Sequence, residues 1–447
     1  MANNKSRVTF VCSNCGTNFS AWSGKCNVCG EWNTLQEEVL LSSSKVSGTS
    51  SLNMISPKTA LKDKNTQRLI TGVDEVDSVL GGGFVPGGVV LIAGQPGIGK
   101  STLLLQLSSL LSKKHKVLYV SAEESTGQVG QRAMRIGADV DNLKIANSTN
   151  IEEISSAVVS TKFDALIVDS IQAVSTDGVN TLAGTVSQIT NCTHILMNVA
   201  KQTNTAIIMV GHVTKEGSIA GPKVLEHVVD VVLQLECDRY GGFKLLRSVK
   251  NRFGPTNEIG IFEMQENGLY PVKNPSASLL AERQVSDGSV VLATMEGTRA
   301  ILVEVQALVN KTSYGYPKRT ASGVDINRLN LLVAVLERRT KLTLSDKDIY
   351  VNLVGGIKIT EHAADLAIAV AIGSAAKGMK LTDDTVVFGE IGLSGEIRHV
   401  PFVEKRIAEA KKLGFKQAIG PKTNTTKKIP MLSTVFNVRD VLNTYLT

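Results

Sequence analysis

Short apolar runs, each followed by enough chain for a helix, set the pattern of the middle of the sequence. Five runs have the length and β-branched content of buried strands: residues 89–93, 117–121, 165–169, 206–211 and 231–236. Continuous apolar strands with helix-length connections are typical of a parallel sheet that is covered on both faces. The pattern therefore predicts an α/β domain with a mostly parallel sheet over residues 68–274. A further β pair is predicted at residues 244–250 and 260–264.

A second α/β segment is predicted from residue 275 to residue 447. Its strands are expected near residues 290–296 and 300–309, and its helices near 327–339, 361–377 and 404–413. We find no tandem repeat and no heptad pattern.

The chain before residue 68 has a different composition. Residues 36–67 are rich in Ser, Thr and Lys, which is typical of a mobile linker. Residues 1–35 contain four clustered cysteines and form a separate small module. We therefore expect four parts, with boundaries at residues 1–35, 36–67, 68–274 and 275–447.

The composition is ordinary for an α/β protein, with 43% hydrophobic and 20% charged residues in a chain of 447. No run approaches the roughly 18 apolar residues of a membrane-spanning helix, and the first residues do not have the apolar segment of a signal peptide. We therefore expect a cytoplasmic protein with no membrane partner. The net charge of +7 permits binding to a polyanion but does not require it.

The clearest chemical motif follows the first predicted strand and fits the P-loop pattern G-x-x-x-x-G-K-[ST]. It consists of Gly94, Gln95, Pro96, Gly97, Ile98, Gly99, Lys100 and Ser101, and Thr102 begins an apolar helical run. A strand, a glycine loop and a helix N-terminus together present backbone N–H groups to an anion. We expect Lys100 to contact the β- and γ-phosphates of ATP and Ser101 to ligate Mg²⁺. The alternative is a glycine turn that binds nothing.

Acidic residues end two other predicted strands. Asp169 ends the strand at residues 165–169, where P-loop enzymes place a carboxylate that supports Mg²⁺; the alternative is that it caps the next turn. Glu123 and Glu124 follow the strand at residues 117–121, which we expect beside the P-loop strand. Either acid could activate the attacking water, and we favour Glu123. Stabilisation of a helix N-terminus is the alternative.

Two further groups of polar residues have less specific patterns. His212 follows the strand at residues 206–211, where it could sense the γ-phosphate, although a structural histidine fits the sequence equally well. Lys250 and Arg252 stand on either side of Asn251, just before a turn. They could stabilise γ-phosphate charge in a neighbouring subunit or contact nucleic-acid phosphates; the alternative is a solvated basic turn.

Four of the six cysteines form two C-x-x-C pairs, Cys12 with Cys15 and Cys26 with Cys29. This spacing is typical of two knuckles that complete a tetrahedral four-thiolate Zn²⁺ site. A module of this size would need the metal to fold, and four protein ligands leave no open position for catalysis. An iron–sulfur cluster and a redox dithiol pair are the alternatives.

The order and spacing of these motifs resemble the bacterial RadA (Sms) family of recombination proteins, which are RecA-like ATPases. The resemblance covers nearly the whole chain. It rests on the cysteine module with residues 30–34, on the P-loop, and on residues 217–227 and 250–254. It implies a RecA-type core that forms a hexameric ring on single-stranded and branched DNA and uses ATP hydrolysis to migrate recombination intermediates.

The resemblance also implies roles for individual residues. Lys250 and Arg252 would couple ATP to DNA, Glu123 would be the catalytic glutamate, and residues 217–223 would form a DNA-facing loop. A recombinase or a replicative helicase is an implied partner. Two other functions remain open: an ATPase that remodels protein clients, and a nucleotide-binding regulator with negligible turnover.

The C-terminal segment resembles the proteolytic domain of Lon proteases, which makes a Ser–Lys peptidase a rival function. Ala363 stands at the position of the nucleophile, and Glu404 at that of the lysine, with Lys405 one residue further on. One residue turns a helical side chain by about 100°, so Lys405 does not replace the base. We therefore expect no peptidase activity.

The same segment carries basic residues close to aromatic ones, a combination that suits DNA contact, although solvated helix faces are the alternative. These residues are Lys311, Lys318, Arg319 and Arg328 near Tyr314 and Tyr316, and later Lys411, Lys412, Lys427 and Lys428.

Overall fold

The cysteine module is built on a small antiparallel sheet in the computed structural model. Its strands are β1 (Arg7–Cys12), β2 (Asn18–Phe19) and β3 (Leu35–Leu40), in the order β2-β1-β3. Every residue of β3 pairs with β1. The predicted start of the linker at residue 36 is therefore wrong, because the polar residues that suggested a linker continue a strand.

The structure describes residues 7–12, 17–32, 34–40, 67–138, 141–179, 181–212, 223–237, 243–313, 315–355, 358–423 and 429–446. The chain divides into two units, Met1–Asp63 and Lys64–Thr447. Residues 41–66 of the predicted linker lie outside the described residues.

Nine strands form the main sheet of the second unit, and their order explains where the P-loop lies. They are β4 (Val89–Gly94), β5 (Val117–Ser121), β6 (Leu143–Asn147), β7 (Ala165–Asp169), β8 (Ala206–His212), β9 (Val231–Cys237), β10 (Phe243–Asn251), β11 (Ile259–Gln265) and β12 (Gly268–Pro271). The order is β12-β11-β10-β9-β4-β8-β7-β5-β6. The six strands from β9 to β6 are parallel and the other three are antiparallel, so the predicted mostly parallel sheet is confirmed.

Helices cover both faces of this sheet. They are α1 (Asp74–Leu80), α2 (Lys100–Ser112), α3 (Thr126–Arg135), α4 (Ile151–Thr161), α5 (Val186–Thr203) and α6 (Lys223–Val228). Successive residues of β4 point into different cores: Ile92 belongs to one buried cluster and Leu91 to another. Burial on both faces is why the parallel strands read as continuous apolar runs.

The C-terminal segment has a mixed seven-stranded sheet of order β15-β16-β14-β13-β17-β20-β21, with a separate β18-β19 pair. The strands are β13 (Ser289–Glu296), β14 (Arg299–Lys311), β15 (Arg319–Ser322), β16 (Lys347–Leu353), β17 (Thr385–Val387), β18 (Glu390–Ile391), β19 (Ile397–Arg398), β20 (Gln417–Gly420) and β21 (Leu432–Thr434). The helices are α7 (Pro275–Leu280), α8 (Ile326–Thr340), α9 (Asp365–Lys377), α10 (Val403–Lys412) and α11 (Val438–Thr444).

The turn between β13 and β14 joins the C-terminal segment to the nine-stranded sheet. Arg299 pairs with Glu75 of α1 at 2.8 Å, and Arg247 of β10 pairs with Glu296 at 2.8 Å. Gly297 has φ +59°, and a Cβ there would lie 2.0 Å from the carbonyl oxygen of Asn257. Only glycine permits this approach, so the turn fixes the two segments against each other.

None of the helices in the described part of the chain has both the length and the hydropathy needed to cross a bilayer.

Candidate nucleotide-binding site

The P-loop connects the C-terminal end of β4 to the first residue of α2. Gly97 has φ +76° and Gly99 has φ +112°, angles that L side chains rarely adopt. A Cβ at Gly94 would lie 2.6 Å from the carbonyl oxygen of Leu235. The glycines therefore let the backbone fold tightly in front of the N-terminus of α2, which is the arrangement that binds phosphate.

Lys100, the first residue of α2, is held inside this loop. Its ammonium donates to the carbonyl oxygens of Gly94 at 2.8 Å and Gln95 at 3.0 Å, and its Nζ lies 3.2 Å from Nδ1 of His212. The residue is only 4% exposed. Burial lowers the pKa of Lys100, while the charges of Asp169 and Glu123 act in the opposite direction. The side chain is thus preorganised at the mouth of the loop, with two carboxylates close enough to act on its charge.

Polar residues line the C-terminal edge of the parallel strands. Gly94 pairs with His212 on β8, and Ser121 of β5 pairs with Asp169 of β7. The expected position of β5 beside the P-loop strand is wrong, because β8 and β7 lie between them. The strand order was not visible in the sequence, but all these strand ends still meet at one edge.

Glu123 reaches from β5 toward the P-loop. Its Oε1 accepts a hydrogen bond from the hydroxyl of Ser170 and lies 3.5 Å from Nε2 of His212. His212 therefore stands between Lys100 and Glu123, with one ring nitrogen directed to each. The three side chains form a continuous polar network across the strand edge.

Glu124 has a different environment from its neighbour. Its two carboxylate oxygens accept hydrogen bonds from the guanidinium of Arg132 on α3, at 2.7 and 2.6 Å. A bidentate pair of this kind fixes both partners. The two adjacent acids are thus separated in role: Glu123 belongs to the P-loop network and Glu124 to the packing of α3.

Asp169 accepts a hydrogen bond from the hydroxyl of Tyr119. Burial, and then the charge of Asp169, raise the pKa of Tyr119 well above its ordinary value, so the phenol remains a donor. Ser101 is the second residue of α2. A serine hydroxyl and a carboxylate are oxygen donors of the kind Mg²⁺ prefers, so the donor set fits that ion.

Ser170 and Tyr119 are members of this site that were not predicted from the sequence. Ser170 directly follows the carboxylate that ends β7, and Tyr119 is the one aromatic residue in the apolar strand β5. The only signal in the sequence was a polar group, the phenol of Tyr119 within an apolar strand or the hydroxyl of Ser170 directly after one. The contact of each with its acid depends on the strand order.

Lys250 and Arg252 lie at the opposite edge of the sheet from the P-loop. Lys250 on β10 pairs with Val232, and Val232 pairs with Leu91, whereas Gly94 pairs with Leu235. Arg252 lies two residues beyond Lys250, further from the P-loop. At about 3.3 Å per residue, its backbone is about 16 Å from the level of Gly94 along the strand direction. These two cations therefore do not reach the phosphate site of their own chain.

Both cations contact the end of α6 or the two residues that follow it. The ammonium of Lys250 donates to the carbonyl oxygens of Glu226 at 2.7 Å, His227 at 3.2 Å and Val229 at 2.7 Å. Arg252 pairs with Asp230 at 3.1 Å. Cations are favourable at a helix C-terminus, where carbonyl groups lack partners. The preceding residues 213–222, which include most of the expected DNA-facing loop, lie outside the described residues.

The second cysteine pair has the backbone of a metal knuckle. The N–H of Gly30 donates to the carbonyl oxygen of Cys26 at 2.9 Å, and the N–H of Cys26 donates to that of Glu31 at 2.8 Å. Gly30 directly follows the second cysteine of this pair and has φ +80°, an angle that L side chains rarely adopt. Cys12 ends β1, and Cys15 lies outside the described residues. The described knuckle fits a tetrahedral metal site.

The segments that correspond to the Lon catalytic residues are joined by a buried ion pair. Ala363 is buried in a short turn, and Lys405 donates to the carbonyl oxygen of Thr298 at 3.0 Å. The fully buried Arg406 donates to both carboxylate oxygens of Glu361, at 2.9 and 2.7 Å. The pair fixes α10 against the turn that precedes α9, and the two positions hold Ala363 and Glu404 in place of the nucleophile and base that a peptidase would need.

We expect Arg406→Met to destabilise the protein by about 3 kcal/mol, because it leaves the half-buried carboxylate of Glu361 without its partner. Burial alone would raise the pKa of Glu361, but the hydrogen bonds and charge of Arg406 hold this pKa below its ordinary value of 4.5. Its contribution to stability is therefore complete above pH 4.5 and is lost as the pH falls through the lower folded-state pKa.

Thermal unfolding monitored by circular dichroism tests this expectation, with Lys405→Met as the neighbouring control. The control should change the unfolding temperature little. Equal unfolding temperatures for the two variants would show that the buried pair does not support the fold.

Arg328, for which the sequence suggested DNA contact or a solvated helix face, is engaged within the protein. It donates to both carboxylate oxygens of the buried Asp365. Tyr316 is 88% exposed, whereas Tyr314, Lys427 and Lys428 lie outside the described residues. Of this basic set, Arg328 is therefore a poor candidate for DNA contact.

Comparisons with known proteins agree with the three described regions. Residues 69–269 match the family model of the ATPase KaiC, residues 10–37 match a rubredoxin-type metal-binding domain, and residues 329–424 match subunit ChlI of Mg-chelatase. The central match ends within β12, so it covers nearly all of the nine-stranded sheet. The match at residues 10–37 includes all four clustered cysteines.

Similar proteins align with nearly the whole chain. DNA repair protein RadA of Halalkalibacterium halodurans is 48% identical over 94% of this chain and 93% of its own length. RadA of Bacillus subtilis is 46% identical over 99% of both chains, and RadA of Escherichia coli is 44% identical over 96% of both. The chain therefore belongs to the RadA family of DNA repair proteins, with a RecA-like ATPase domain, an N-terminal metal-binding ribbon and a C-terminal region of ChlI- and Lon-like type.

Proposed function

We propose that this protein is a DNA-dependent ATPase that processes recombination intermediates, by ATP-driven branch migration on single-stranded and branched DNA. The observation that carries the proposal is the division of charged groups between two edges of one sheet. Lys100, Glu123 and Asp169 meet at the P-loop edge, and Lys250 and Arg252 lie at the other. Such a chain can hydrolyse ATP at one edge and act on a neighbour or on DNA with the other.

At the P-loop edge, each side chain has a role that its contacts support. Residues 94–102 and Lys100 bind the phosphates, and Ser101 and Asp169 hold Mg²⁺, which supplies charge neutralisation when bound. Glu123 accepts the proton of the attacking water, since its carboxylate faces the P-loop lysine and is oriented by the hydroxyl of Ser170. His212 links the base to the lysine and is placed to respond to the γ-phosphate.

At the other edge, Lys250 and Arg252 act outside their own nucleotide site. In a closed ring of identical subunits, one face of each subunit meets a different face of the next. A homo-hexameric ring would therefore let these cations approach a neighbour's phosphates or the enclosed DNA. Lys250 also holds the end of α6, which follows the expected DNA-facing residues 217–223. A contact between DNA and residues 217–223 would therefore be transmitted to α6 and to Lys250.

We expect Lys250→Ala to reduce the stimulation of ATP hydrolysis by DNA at least about tenfold while nucleotide affinity stays within about twofold, because the side chain contacts α6 and not the P-loop. Phosphate release with and without single-stranded DNA, together with binding of a fluorescent ATP analogue, separates the two effects. Lys244→Ala on the same strand is the control. Equal losses of nucleotide affinity and DNA response would contradict a coupling role.

The remaining assignments follow from the same family pattern. Cys12, Cys15, Cys26 and Cys29 hold one structural Zn²⁺ in the module, which β3 extends to residue 40, and the remaining parts divide at residues 67 and 274. The C-terminal region acts as a scaffold for ring assembly and DNA contact without peptidase activity. A recombinase or replicative helicase is the proposed protein partner, and the cytoplasm, where bacterial DNA lies, is the proposed location.

The steady-state rate of ATP hydrolysis with and without single-stranded DNA tests the proposed function. We expect the rate to rise when DNA is added. A rate that is indifferent to DNA would overturn the proposal in favour of an ATPase that remodels protein clients. Tight ATP binding with negligible turnover would instead indicate a regulator.

A further inference from the structure

The two tryptophans of this chain both lie in the cysteine module and are both strongly exposed. Trp22 is 59% exposed and Trp32 is 68% exposed. An indole ring contributes a large apolar area, so two exposed rings on one small module mark an interaction surface.

The two rings converge on one glycine. A Cβ at Gly24 would lie 3.8 Å from the ring of Trp22 and 3.9 Å from that of Trp32, so both rings lie next to a position without a side chain. The ammonium of Lys25 lies 5.5 Å from the centre of the Trp32 ring. Two aromatic faces, an open glycine and a cation thus form one surface, which we term the indole surface: Trp22, Gly24, Lys25 and Trp32.

The backbone holds the indole surface in place. Lys25 and Trp32 face each other in an antiparallel bridge, and the knuckle between them is closed by the hydrogen bond from Cys26 to Glu31. The hydroxyl of Ser23 donates to the carbonyl oxygen of Lys25 at 2.7 Å. Because the supporting backbone is already ordered, little entropy is lost when a ligand binds there.

We propose that the indole surface binds single-stranded DNA by stacking bases on Trp22 and Trp32, with Lys25 contacting an adjacent phosphate. This rests on the proposed action on DNA and adds a second DNA contact outside the ATPase sheet. Stacking needs unpaired bases, which selects single strands over duplex. The position of Lys25 favours DNA over a protein, since lysine is depleted from the cores of protein interfaces while protein–DNA interfaces are strongly positive.

Intrinsic fluorescence tests the proposal directly, because tryptophan emission from the full chain comes only from the module. Titration of the full-length protein with oligo(dT) should quench this emission saturably, and added salt should weaken the effect. Trp22→Ala and Trp32→Ala should each weaken oligo(dT) binding about 5- to 100-fold. Lys25→Ala should reduce the salt dependence by about one phosphate contact.

Phe436→Ala, which removes another exposed aromatic ring (66%), is the control and should leave oligo(dT) binding unchanged. Zinc content of each variant, measured in parallel, shows that the module is still folded. Unquenched emission, or unchanged affinity in both tryptophan variants, would overturn the proposal. Loss of affinity for a protein partner with normal oligo(dT) binding would also overturn it, in favour of a protein-docking surface.

This test distinguishes failure of the stacking site from failure of the proposed function. DNA-stimulated hydrolysis without quenching would leave the proposed ATPase intact and remove the stacking site. Quenching without stimulation would support the stacking site while the DNA-dependent ATPase fails.

Discussion

Lys100→Ala is expected to reduce ATP hydrolysis by about 10³-fold or more, with and without DNA. Loss of a single preorganised donor from a reaction centre typically costs about 10²- to 10³-fold, and charged phosphate-binding groups reach higher values. Lys100 has both properties: it carries a full charge, and its ammonium is fixed by the carbonyl oxygens of Gly94 and Gln95. Steady-state phosphate release measures the effect.

A matched control comes from the same helix. Lys113 stands at the C-terminal end of α2, so Lys113→Ala makes the same chemical change far from the loop. It should leave the hydrolysis rate close to that of the unmodified protein. Turnover retained in Lys100→Ala would exclude the P-loop as the hydrolytic site, whatever the behaviour of the control.

The chemistry of this strand edge could be predicted from the sequence because it depends on local signals. The glycines of the P-loop, the carboxylate at the end of β7 and the apolar strands are each visible in a few consecutive residues. Buried parallel strands were found within one residue of their ends, since burial on both faces produces unbroken apolar runs. β6 was missed: only Leu143 is buried in this edge strand, so it lacks such a run.

Features that depend on strand order could not be predicted in this way. The sequence does not show that two strands separate β5 from β4, and it does not show which neighbour orients each acid. The pairing of Glu124 with Arg132 and of Glu123 with Ser170 follows from how α3 and β7 pack. The same holds for Lys250, whose carbonyl partners are 21 or more residues away in the chain.

Start and end points of elements were least predictable where polar residues are structural. β3 runs into the segment expected to be linker, because its glutamates pair with β1 through backbone groups that sequence composition does not reveal. Helix α9 begins at Asp365 and not at residue 361, because His362–Ala364 form a separate turn. The buried carboxylate of Asp365 is held there by Arg328, a contact across 37 residues.

Glu123→Gln is expected to lower kcat about 10²- to 10⁴-fold while ATP binding persists. The substitution is close to isosteric, and its amide oxygen can still accept the hydrogen bond from Ser170. It removes the charge that faces His212 and Lys100, and with it the group that takes a proton from water. Phosphate release measures turnover, and a fluorescent ATP analogue measures binding.

The neighbouring acid supplies the control that makes this test decisive. Glu124→Gln makes the same chemical change one residue away, where the carboxylate is bound to Arg132 and is partly exposed. A partly exposed ion pair contributes about 1 kcal/mol, and somewhat more when it is bidentate, so the variant should still fold and hydrolyse ATP almost normally. Loss of turnover in Glu124→Gln but not in Glu123→Gln would reverse the two assignments. Loss in neither variant would mean that the attacking water gives its proton to a group other than these strand-end acids, and the network of Lys100, His212 and Glu123 would then serve only to position the P-loop.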